Sequence, residues 1–112
     1  MVSLKADGGV VHLSLRSVVD VAELTDAGIG VATDACFDRP VRALVVDIRG
    51  CKPIDPDSFI LLKSFLEQAR DTGVARFVRI GDGTLCAVQM DALERAAHIS
   101  ERTLVFLEDL DS

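Results

Sequence analysis

The run Ala43-Leu44-Val45-Val46-Asp47-Ile48-Arg49-Gly50-Cys51-Lys52-Pro53-Ile54-Asp55-Pro56-Asp57-Ser58-Phe59 passes from one kind of backbone to another. Its first four residues are a short continuous apolar segment, the pattern of a strand buried on both faces in a parallel sheet. Gly50 to Pro53 then break the chain. Asp55 offers a side-chain oxygen to the free amides of a helix start, and Pro56 fits the first helical position because its missing N–H has no partner there to lose. The helix so begun runs to about Thr72, where Gly73 supplies the left-handed stop. A buried strand, a short connection and a capped helix are half of a βαβ unit.

The rest of the chain repeats this alternation. Residues 2–7 and 10–16 flank Asp7-Gly8-Gly9, and Val11, Leu13 and Leu15 alternate with His12 and Ser14, so an opening hairpin is expected. Asp20 followed by Glu23 reads as a capping pair. Val21, Leu24, Gly28, Val31, Ala32 and Ala35 recur at helical spacing, which predicts a first helix over 21–36, ended by Arg39-Pro40. Further on, the pattern predicts a strand over 74–80, a third helix over 84–97 and a last strand from Thr103 to Leu107. That third helix carries Leu85, Val88, Ala92, Leu93 and Ala96 on one face. The order β β α β α β α β implies a single α/β domain spanning 1–112. It is a mixed sheet of about five strands with an N-terminal hairpin and right-handed βαβ crossovers, and its helices pack on the sheet.

Composition narrows the partners. The formal charge of -6 opposes nucleic acid and anionic membrane, both of which need a basic face. No Trp or Tyr is present to stack on bases. No uncharged run approaches the roughly 20 residues of a membrane span, and the N-terminus lacks an apolar leader segment, so direct membrane insertion is not expected and a cytoplasmic location is. Cys36, Cys51 and Cys86 are odd in number and lack metal-ligand spacing, which predicts reduced thiols and no metal site.

Several segments resemble chemical motifs. Asp47 at a strand end could be the phosphoacceptor of a receiver domain. That chemistry needs an acidic pair after the first strand to hold Mg²⁺, and the first two strands offer only Asp7 and Asp20, far apart. Gly81-Asp82-Gly83-Thr84 lacks the Lys-Ser/Thr pair of a phosphate-binding loop and the third glycine of a dinucleotide fingerprint, and reads as a tight turn. His12 and His98 have no ligand-spaced companions, and Ser58 has no Gly-x-Ser-x-Gly setting. No enzyme, catalytic residue or cofactor is called for. In the second helix Phe59, Leu62, Phe65, Leu66 and Ala69 form a core stripe, with Ile60 and Leu61 outside it. Either that helix is buried on most sides, or it exposes an apolar patch beside its acidic start.

Residues 44–59 resemble the signature of the STAS family of anti-sigma-factor antagonists: a buried strand ending in Asp, a short connection, then Ile-Asp-Ser-Ser-Gly-Leu opening a helix. The likeness in element order extends over nearly the whole chain. It implies a regulatory, non-catalytic module that binds a kinase-type anti-sigma factor or a related signalling assembly. Accessory subunits of membrane transporter complexes are similar too, and a homodimer is compatible with the resemblance. The family's phosphorylated serine falls on Asp57, which has no hydroxyl to phosphorylate. Pro56 stands for the first serine, Ser58 for the motif's glycine, and Ser17 for a glycine common before the first helix. Ser58 is therefore the nearest alternative phosphoacceptor. By the same resemblance Asp55, Asp57, Ser58, Ile60 and Leu61 form the expected partner-binding surface.

Overall fold

A computed structural model describes residues 1–29, 40–81 and 85–99, and the backbone of 103–105. Along the chain lie β1 (Val2–Asp7), β2 (Val10–Leu15), α1 (Val21–Asp26), β3 (Ala43–Asp47), α2 (Pro56–Thr72), β4 (Arg76–Ile80), α3 (Leu85–Ala96) and β5 (Thr103–Val105). The domain is a small α/β unit with a mixed, open sheet and three helices.

Four strands of five or six residues lie side by side in the order β1-β2-β3-β4, and three-residue β5 joins the β4 edge. β1 pairs antiparallel with β2 across the Gly8-Gly9 turn, with Leu4 opposite Leu13. β2, β3 and β4 run parallel, with Leu13 beside Val46 and Leu44 beside Phe77. Each crossover steps one strand in the same direction, so right-handed connections place the helices on one face. Val11, Leu13, Leu15, Leu44, Val46 and Ile48 point to that face and are buried with Leu62, Phe65, Leu66 and Ala69 of α2. The opposite face begins with Ser3, Lys5, His12, Ser14 and Arg16, a polar surface at the hairpin.

The three helices stop in the same way. Ile29 N–H donates to the Leu24 carbonyl at 2.9 Å, Val74 to Ala69 at 3.2 Å and Ile99 to Glu94 at 2.9 Å. In each case the residue before the donor is left-handed: Gly28 at φ 99°, Gly73 at 92° and His98 at 62°. The donor's own side chain is buried, the apolar contact that completes this type of terminus.

Two sequence expectations need correcting. The first helix does not continue to residue 36 in one piece: α1 ends at Asp26, because Gly28 turns the chain and is not one of the core-facing positions of a longer helix. Residues 30–39, with Cys36, lie outside the described residues, as do 82–84 of the Gly81–Thr84 turn and 106–107 of the expected last strand. In α3 the buried residues are Cys86, Ala87, Met90, Leu93 and Glu94, while Leu85 and Val88 are 70% and 63% exposed. The inward face is thus turned away from the Leu85-Val88-Ala92 stripe. The inward stripe is Cys86, Met90, Leu93 and Ala97, and beside it lies Arg79 of β4, buried under α3, whose guanidinium meets Glu94 at 2.8 Å and Asp91 at 2.7 Å. A buried cation is tolerated only with its counter-charge close by, so Glu94 is drawn inward.

Candidate functional site

The β3–α2 connection sits at the carboxyl end of the parallel strands, where open α/β sheets commonly place their sites. It is zipped to the segment that follows β2. Ser17 N–H donates to the Gly50 carbonyl at 2.8 Å, and Lys52 N–H donates to the Ser17 carbonyl at 2.9 Å. Ser17 adopts φ 57°, the left-handed region that glycine enters at no steric cost. Farther along, Ile54 N–H donates to Gln89 Oε1 at 2.7 Å, and Gln89 Nε2 donates back to the Ile54 carbonyl at 2.8 Å. The entrance to α2 is therefore fastened on one side to the end of β2 and on the other to α3.

Asp47 does not stand free at the strand end. Arg49 folds back on it, with its backbone N–H 3.0 Å from Oδ1, Nε 3.2 Å from Oδ1 and a terminal nitrogen 3.0 Å from Oδ2. Arg16 adds a second cation at 3.8 Å. Burial pushes the Asp47 carboxyl up, but the Arg49 hydrogen bonds and both guanidinium charges outweigh it and hold the group below its ordinary value. A carboxylate so engaged has its oxygens committed to arginine.

Asp55 caps α2 as its position in the sequence predicts. Its Oδ2 accepts from Ser58 N–H at 3.1 Å, and its Oδ1 accepts from the Ser58 hydroxyl at 2.6 Å. The side-chain bond from Ser58, helped by its backbone N–H, keeps the Asp55 carboxyl below its usual range. Ser58 itself is 0% exposed: it shares the inward face with Leu62, Phe65 and Ala69, one, two and three turns on. In this conformation it contributes no surface, and its hydroxyl is reachable only if the first turn opens. Leu61 is half-buried against the core. Asp55, Pro56, Asp57 and Ile60 face outward, with Ile60 62% exposed. Of the five expected contact residues, the structure brings Asp55, Asp57 and Ile60 together on the surface and turns Ser58 and Leu61 inward.

Neither the Gln89 clamp nor the arginines closing on Asp47 follow from any short motif in the sequence. Ser58, in contrast, carried a signal: three residues past the cap and at i, i+4, i+7 spacing with Leu62 and Phe65, it belongs to the core stripe. His12 and His98 are both exposed. Among the described residues no helix is long and apolar enough to cross a membrane. No known protein family matches the chain by sequence, and no curated protein matches it either.

Proposed function

We propose that this chain is a regulatory protein-interaction module of the STAS type, docking on a kinase-type anti-sigma factor or a related signalling assembly through the outward side of the α2 start. The observation that carries this reading is the build of that start. Its underside is locked by the Ser58–Asp55 pair and the Gln89–Ile54 pair, while Asp55, Pro56, Asp57 and Ile60 are presented outward. A rigid, partly apolar surface loses little entropy on association, which favours binding over chemistry as its use. The order of elements and the run 44–59 support the family assignment. The arginines engaged by Asp47 weigh against a receiver phosphoacceptor.

The same geometry supports a mode of action for the module that needs no phosphorylation. At the family's phosphoacceptor position stands Asp57, and the adjacent hydroxyl, on Ser58, is buried beside the Asp55 carboxylate. Phosphate added there would meet both Asp55 and Asp57 as like charges. The surface therefore operates without phosphorylation at the α2 start. Incubating wild type and Asp57→Ser with an anti-sigma-type serine kinase and ATP tests this: only Asp57→Ser should gain a phosphoryl group, and efficient modification of wild-type Ser58 would reject the reading.

A further inference from the structure

Cys51 lies in the β3–α2 connection and Cys86 in the first turn of α3. The two hydrogen bonds between Ile54 and Gln89 hold these segments side by side, and each cysteine precedes its member of that pair by three positions. Both thiols are free, buried and part of one core cluster. They face each other closely enough to hydrogen-bond. Cys51 is the outer member, 7% exposed against 0% for Cys86, and its thiol also donates to the Lys52 carbonyl at 3.2 Å. It follows Gly50, at φ 71°.

We propose that Cys51 and Cys86 form a redox modification site, oxidised by a hydroperoxide to an intramolecular disulfide that ties the β3–α2 connection to α3. The Cys51 thiolate attacks the peroxide, the O–O bond breaks, and the departing oxygen takes up the Cys51 proton and leaves as an alcohol, or as water from hydrogen peroxide. Cys51 is then a sulfenic acid. The Cys86 sulfur attacks it, an S–S bond forms, and the hydroxyl leaves with the Cys86 proton as water. Two thiols and one hydroperoxide thus give one disulfide, one alcohol and one water, with both electrons passing from sulfur to the peroxide. The order of events follows the two environments. The Cys86 hydrogen bond holds the Cys51 thiol below its ordinary value against the opposing effect of burial, while that bond and burial push Cys86 up. Cys51 is the thiol more readily ionised and reached first.

The inference does not depend on what binds the α2 start. Full-length protein and Cys36→Ser are treated with hydrogen peroxide, quenched with an alkylating agent and digested without reductant. Before alkylation both should have lost about 2 Da and should return to the reduced mass with dithiothreitol, and the digest should yield a linked Cys51–Cys86 peptide. Cys51→Ser and Cys86→Ser should not form the intramolecular link. The wild-type digest decides the matter even where those variants fold poorly. Linkage through Cys36, oxygen addition with no linked peptide, or unreacted thiols in the folded protein would each overturn the proposal.

Discussion

Replacing His98 by glycine is expected to stabilise this protein, and replacing Gly73 by alanine to destabilise it, because the two residues hold equivalent places at the ends of α3 and α2. Both are left-handed, and both are followed by a buried residue whose N–H reaches back to the last turn. An L-residue pays about 1–2 kcal/mol for that conformation. Glycine avoids the strain but gives back about 0.5–1 kcal/mol through the greater freedom of the unfolded chain. The net gain for His98→Gly is about 0.5–1 kcal/mol. For a chain of 112 residues, an unfolding entropy of about 2.1 cal/mol/K per residue converts that to a rise in Tm of about 2–4 °C. A methyl group at Gly73 meets no atom within 4 Å, so Gly73→Ala registers the backbone cost alone, about 1 kcal/mol or about 4 °C downward. Thermal unfolding followed by circular dichroism reads both. A fall in Tm for His98→Gly, or no fall for Gly73→Ala, would refute the shared terminus.

Leu66→Ala should cost about 2–5 kcal/mol in urea unfolding, since Leu66 is buried between α2 and the sheet, and an unchanged midpoint would remove it from the core. Asp47 has a carboxyl held below its unfolded value, so its contribution is present above about pH 4 and is lost as pH falls through the lower folded value. Asp47→Asn should accordingly flatten the acid side of the stability profile while leaving the neutral-to-alkaline slope alone. Acetyl phosphate with Mg²⁺ should leave the wild-type mass unchanged, and a stoichiometric phosphoryl gain lost in Asp47→Asn would restore the receiver reading.

The parts of the fold that could be read from the sequence are those fixed by local chemistry. Ala43–Val46, Asp55-Pro56 and Gly73 name a buried strand, a helix start and a helix end from a few neighbouring residues, and β3 and α2 lie there. Gly28-Ile29, a left-handed residue followed by an apolar one, marks the end of α1, but Gly28 also fits helical spacing and so reads equally as part of the stripe. The orientation of α3 was ambiguous to periodicity, because Cys86, Met90, Leu93 and Ala97 form a second stripe at helical spacing, and this is the one buried. Leu85, Cys86, Ala87, Val88, Met90, Ala92 and Leu93 surround the helix with apolar groups, and the partner of Glu94 on the buried face, Arg79, lies 15 residues earlier, outside any local pattern. The same limit applies to the site. The Asp55 cap is local and legible, whereas the Gln89 clamp joins positions 35 residues apart and follows from no short motif.

The account stands or falls on the outward side of the α2 start as a partner surface. Immobilised wild type, Ile60→Glu and the distant control His12→Glu, each shown to be folded by circular dichroism, would be compared by quantitative mass spectrometry of what they retain from a lysate of the source cells. A kinase-type anti-sigma factor or a related signalling protein should be retained by wild type and His12→Glu and lost by Ile60→Glu. Retention of the same proteins by all three would contradict it.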